Sequence, residues 1–168
     1  MVGLGWDVNR FDTGGGFDLD TAAFMLGDNG KCPTDNEFIF FGNLKHSTGC
    51  VEHLGDNRTG VGDGDDEQIK INLNAIPANI SRIAFSVTIY DADARRQNFG
   101  QVNNAYIRIY NELTGEEILR YDLGAFVNKE LTSLWHGDVK AHSFPSRAAL
   151  IETVTVPLVK NTNKIRII

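Results

Sequence analysis

Residues 83–110 read IAFSVTIYDADARRQNFGQVNNAYIRIY, and the two ends of that stretch decide the fold class. Ile83 to Tyr90 and Ala105 to Tyr110 are rich in β-branched and aromatic residues, which fit a pleated, half-buried surface. In the second run Arg108 points opposite to Ile107 and Ile109, so one side of the strand is apolar and the other polar. Between the runs, Asp91 to Gln97 (DADARRQ) has the length of one or two helical turns, with Asp91 in the place of an N-cap.

The same period of two recurs on the N-terminal side. Phe17, Leu19 and Thr21 alternate with Asp18 and Asp20, Met25-Leu26 continues that strand, and Phe38 to Phe41 is a short apolar run before Gly42. Ile69, Ile71 and Leu73 alternate with Lys70 and Asn72 until Ile76-Pro77 closes the segment, because proline cannot donate to a ladder. On the C-terminal side Thr114-Gly115 separates Tyr106–Asn111 from Glu117–Leu123, a hairpin signal. At least six short strands with turns between them predict an all-β protein, an antiparallel β-sandwich of two sheets with one or two short helices, rather than βαβ units.

Composition places the chain among globular proteins: 168 residues, 42% hydrophobic and 23% charged. There is no apolar run of about 18 residues, hence no integral membrane segment, and MVGLGWDVNR lacks the apolar core of an export signal. A cytoplasmic location with Cys32 and Cys50 reduced is the expectation. The net charge of −6 is unevenly distributed: up to Phe126 there are 10 basic and 19 acidic residues, and beyond it 6 and 3. Sixteen of the 17 glycines also precede Phe126. Residues 1–126 are therefore expected to form the sandwich, with 127–168 a divergent basic tail that either completes it or is poorly ordered. Within the tail, Arg147 to Leu150 accepts helix and Thr153 to Val156 prefers strand. So acidic a first part repels a duplex, and no nucleic-acid partner is expected.

The chemistry concentrates in Gly55 to Glu67, GDNRTGVGDGDDE, with five carboxylates (Asp56, Asp63, Asp65, Asp66 and Glu67), one base (Arg58) and four glycines. Like charges a few ångströms apart repel by about 1 kcal/mol per pair even in water. A divalent cation removes that repulsion, and hard oxygens on a flexible loop suit calcium better than magnesium, which demands tighter geometry. In an extended strand Asp63, Asp65 and Glu67 share one side and Asp66 the other, an arrangement able to serve two neighbouring ions. An EF-hand does not fit, since Arg58 and Gly60 stand where ligands belong and Val61 where glycine is required. The competing reading is a solvated acidic turn. Asp18 and Asp20 of FDLD either join the same site or form a polar strand face, and Asp28 and Asn29 are turn formers.

Five runs carry a family resemblance: GLGWDV (3–8), FDLDTAAFMLGDNGKCPTDNEFIFF (17–41), GDNRTGVGDGDDEQIKINL (55–73), IPANISRIAFSVTIYDADARRQNFGQVNNAYIRI (76–109) and TGEEILRYDL (114–123). In order and spacing they resemble the TerD family of bacterial tellurium-resistance and stress proteins. The resemblance implies a calcium-binding β-sandwich associated with resistance to tellurite, some phages and colicins. Carried over, the calcium ligands come from Asp18, Asp20, Asp56, Asn57, Asp63, Asp65, Asp66 and Glu67, with two ions expected and other proteins of the tellurite-resistance system as partners. Members usually carry a further apolar strand before GLGWDV and an aromatic strand pair where this chain has Leu134-Trp135-His136-Gly137. A sandwich altered at both ends exposes sheet edges.

Catalysis finds no nucleophile elbow and no separated acid and base, so an enzyme is not expected. His46, Cys50 and His53 with Cys32 are zinc-ligand types, but their spacing matches no structural zinc pattern and they are read as surface hairpin residues. Arg95 and Arg96 are expected to pair with Asp91 and Asp93, and Trp6 to lie in the core with its N–H satisfied locally. The leading function is thus a non-enzymatic calcium-binding stress protein. The alternatives are a calcium-dependent ligand-binding or adhesion-type sandwich and a decayed, inert family copy.

Overall fold

The computed structural model describes residues 1–8, 16–123, 152–159 and 164–165. The strands are β1 (Val2–Gly5), β2 (Leu19–Leu26), β3 (Phe38–Ile39), β4 (Val51–His53), β5 (Glu67–Ile71), β6 (Arg82–Ile89), β7 (Tyr106–Tyr110), β8 (Glu117–Asp122), β9 (Glu152–Val159) and β10 (Lys164–Ile165). They form two five-stranded sheets, ordered β4-β5-β1-β7-β8 and β10-β9-β6-β2-β3. Every pairing is antiparallel. The sandwich expected from the sequence is what the chain forms, and among the described residues helix is confined to α1 (Ala92–Arg95) and three single 3-10 turns.

The core is filled by the inward positions of both sheets. Val2, Leu4, Val51, Ile69, Ile107 and Ile109 of the first sheet meet Leu19, Ala23, Met25, Ile83, Phe85, Val87 and Ile89 of the second in one continuous cluster. Fully burying a side chain of this size contributes about 1.5–3 kcal/mol each, so the facing rows hold the sheets together. The 114–115 turn is the expected hairpin: the Gly115 N–H donates to the Asn111 carbonyl, and Gly115 takes φ 71°.

Local departures from the sequence expectations have local causes. The Phe38–Phe41 run is strand only to Ile39, because Phe40 bridges to Asn43 while the rings of Phe24, Phe38 and Phe40 stack at 4.6 and 4.4 Å. The 69–73 run yields its last residue to a 3-10 turn, Leu73–Ala75, where the Asn72 side chain accepts the Asn74 N–H. Asp91 does precede the helix, but it sits at φ 52° and its side chain makes no capping bond. Arg95 donates to the Tyr90 carbonyl at 3.3 Å instead of serving Asp91. Trp6 is buried, with its indole N–H donated to the Phe17 carbonyl, eleven residues away.

Beyond Phe126, Thr153 to Val156 lies within β9, whose Glu152–Pro157 pairs with Arg82–Val87 of β6. Gly14 and Gly15, Leu134 to Gly137 and Arg147 to Leu150 lie outside the described residues.

Candidate metal centre

The centre lies where the chain entering β2 meets the loop leading into β5. Its keystone is Glu67, whose inward-facing side chain is fully buried. β2 is paired along its whole length with β6, but β3 covers its other edge only at Ala23 and Phe24. The Thr21 N–H on that uncovered stretch donates to Glu67 Oε2 at 2.8 Å, so a side chain from one sheet completes the edge of the other. Glu67 Oε1 accepts the Asn57 N–H at 3.4 Å, and His53 Nε2 lies 3.4 Å from Oε2. Burial raises the Glu67 carboxyl above its ordinary range, against those partners.

This bridge draws the 55–66 loop against FDLD. Carboxylate oxygens of Asp18, Asp20 and Asp56 all lie within 4.8 Å of one another. Asp18 Oδ1 is buried with no hydrogen-bond partner. The Asp20 carboxyl is pushed up to about 7 by burial and then by Glu67, Asp18 and Asp56, and Asp18 is raised by burial and by Asp56. Arg58 is bound to Asp56 Oδ2 at 3.0 Å with its side chain 76% exposed, and Arg95 and Arg58 offset only part of the rise at Asp18. A buried oxygen without a donor, among carboxylates that hold one another's protons on, is a donor set that fits a hard cation.

The other expected ligands go elsewhere. Asn57 Oδ1 already accepts from Thr59 N, Thr59 Oγ1 and Gly60 N, which fixes the loop as an Asx turn. Asp66 Oδ2 accepts the Trp6 N–H at 2.9 Å and Oδ1 the Asn57 side-chain amide at 3.1 Å. Asp63 is exposed. The one-sided row of Asp63, Asp65 and Glu67 does not form, because Gly62 at φ 156° and Gly64 at φ 90° break the extended run. Asp65 instead lies over the outer face of the first sheet, bound to Arg108, while Glu67 points between the sheets. Asp18, Asp20 and Asp56 form the single group of this kind among the described residues.

Sequence reading missed His53 altogether as part of this region. His46, Cys50 and His53 are buried rather than on a surface hairpin, since β4 lies against β5 and turns Val51 and His53 inward. His46 Nδ1 is 3.5 Å from Cys50 Sγ and 2.8 Å from Thr48 Oγ1, while His53 Nδ1 accepts the Gly55 N–H. The alternation of Val51 and His53, four and two residues before Gly55, was the available signal for an inward position.

The fold and the centre together define a class: a two-sheet antiparallel sandwich with clustered carboxylates where loops from both sheets converge. The TerD domain model matches residues 1–144, and the chain belongs to the TerD family. General stress protein 16U of Bacillus subtilis is 52% identical over 143 residues, covering 85% of this chain and 74% of that protein. Tellurium resistance protein TerD of Serratia marcescens is 51% identical over 143 residues, covering 85% and 73%. The crystal structure of a homologue of telluride resistance protein (TerD) from Streptomyces coelicolor superposes with a TM-score of 0.66 at 19% identity, covering 99% and 88%, a likeness of fold. The family match thus runs past Phe126, where the charge balance changes. No helix among the described residues is long and apolar enough to cross a membrane.

Proposed function

We propose that this chain is a non-enzymatic calcium-binding protein of the tellurite-resistance and stress response, working in the cytoplasm through contacts with other proteins of that system. The observation that carries the reading is the convergence of Asp18, Asp20 and Asp56 within 4.8 Å around a buried, unpartnered Asp18 oxygen. A bound divalent ion supplies the positive charge that the cluster lacks; Arg58 reaches only its solvent edge. Calcium is preferred because the donors are all oxygen and come from loop and strand end, which suits its loose coordination. The carboxylates form one dense group rather than a separated acid and base, which supports a binding role over catalysis.

Isothermal titration of the chelator-stripped protein with calcium tests this. Saturable binding is expected, weakened by Asp20→Asn; no saturable binding below about 1 mM sinks it. A second reading, a calcium-dependent ligand-binding sandwich, is favoured by Tyr90. This residue is 53% exposed, and its N–H donates to the Asp18 carbonyl. A glycan array probed in calcium and in chelator decides it, and silence in both removes it.

A further inference from the structure

Asp65, like Glu67, has a fully buried side chain, and among the carboxylates of the acidic loop it has the most donors around it. Its Oδ1 accepts from Arg108 Nε at 2.7 Å and Tyr106 Oη at 3.0 Å, and its Oδ2 from Arg108 Nη2 at 3.0 Å and Gln68 Nε2 at 3.2 Å. Two carboxylate oxygens offer about four lone-pair sites, and these four groups surround them, the single Tyr106 hydroxyl proton being shared with the Gly64 carbonyl at 2.9 Å. The guanidinium is itself held, lying 4.6 Å over the Tyr110 ring and 3.5 Å from Glu117. Such a bidentate pair is directional as well as strong.

The groove that receives Asp65 is cut by glycine. On β1, Val2 and Leu4 point into the core while Gly3 and Gly5 face outward. A Cβ on Gly3 would occupy the Asp65 carboxylate, and one on Gly5 would lie 2.5 Å from the Tyr106 ring. Neither glycine has positive φ, so close approach rather than backbone conformation requires them.

We propose that Asp65 is not an ion ligand but the anchor of the metal loop, and that Arg108, 43 residues away in sequence, is the positioning residue that fixes it. This rests on the cation-binding reading above. Pinned to the outer face, the chain must turn so that Asp66 meets the Trp6 N–H and Glu67 crosses to Thr21 and Asn57. Those contacts hold the strand end of the loop whose beginning carries Asp56 to Asp18 and Asp20. Residues that orient a metal site without touching the ion typically govern affinity by about 10–100-fold.

The experiment uses the full chain, calcium for affinity and europium luminescence lifetimes in H2O and D2O to count waters on the ion. Asp65→Asn, Arg108→Gln and Gly3→Ala are each expected to raise the calcium Kd about tenfold or more while leaving the water count as in wild type. Arg108→Lys recovers part of the loss, and the Asp65→Asn/Arg108→Gln double variant is no worse than the weaker single one. Asp20→Asn, by contrast, weakens binding and admits a further water. An added water in Asp65→Asn, or losses that add in the double variant, makes Asp65 a ligand and overturns the proposal, as does unchanged affinity in Arg108→Gln. If a variant fails to melt cooperatively, the remaining two decide. Absence of calcium binding by wild type overturns the metal reading itself, and the anchor role with it.

Discussion

Replacing Asp20 by Asn is expected to move stability in opposite directions depending on calcium. Asp20 lies within 4.8 Å of both Asp18 and Asp56 and has a carboxyl pushed up to about 7, so at pH 8 the metal-free wild type holds it largely ionised beside two like charges. Each such pair costs about 1 kcal/mol at the dielectric of water and roughly 3–4 kcal/mol at an effective value near 20. Removing one of three charges relieves two pairs, a gain on the order of 2 kcal/mol after screening. For a chain of this size that is roughly 4–8 °C in Tm. With calcium at about 1,000 times its Kd, wild type instead gains about 4.1 kcal/mol through linkage, and the Asn variant forfeits most of it. Thermal unfolding by circular dichroism in chelator and in calcium should therefore show the variant melting higher in the first buffer and lower in the second. Two outcomes would refute the reasoning: a variant that melts lower in chelator, or one whose calcium shift equals that of wild type.

The same charge cluster makes the metal-free protein sensitive to pH. Because the folded Asp20 carboxyl is raised above its unfolded value, the folded state holds the extra proton between about pH 4 and 7; stability falls across that window as pH rises, by on the order of 2–4 kcal/mol. A urea series in chelator at pH 5 and pH 8 measures it, and a flat profile contradicts it. His53→Ala removes the imidazole beside the buried Glu67 carboxylate and should cost about 1–3 kcal/mol, read from the urea midpoint. Truncation after Phe126 strips β9 from Arg82–Val87 of β6, exposing an apolar edge; loss of cooperative unfolding or aggregation is expected, and an unchanged melt shows that the pairing contributes nothing. Phe85→Ala should lower stability by about 3–5 kcal/mol in a single cooperative transition; a broad, non-cooperative melt of the wild type favours a decayed copy.

β7 is legible in the sequence because its residues alternate cleanly between the core and the outer face, and β2 and β6 because they are apolar runs buried along most of their length. β1 is hard to see: two of its four residues are glycine, required by the side chains laid over them and carrying no strand preference of their own. Asp18, Asp20 and Asp56 could be named as site residues because carboxylates crowded without bases are conspicuous anywhere. The parting of Asp65 from Glu67 was not readable, since it depends on Gly62 and Gly64 turning the chain and on an arginine distant in sequence. His53 escaped for a related reason, as its partner Glu67 was expected among ligands rather than as a buried crosspiece between sheets.

The placement of β1 between β5 and β7 sets an order of events during synthesis. Val2 pairs with Ile69 on one side and Ile109 on the other, so this strand emerges before both of its neighbours and cannot be flanked until most of the sandwich has been made. At roughly 5–20 residues per second that is a wait of several seconds or more, with one short apolar strand unpartnered on the ribosome. Gly3 supplies the groove for Asp65, and Leu4 accepts the Asp66 N–H. The acidic loop therefore takes its final shape only when β1 has been enclosed by two strands made well after it, and ion capture should report a late stage of folding rather than its start.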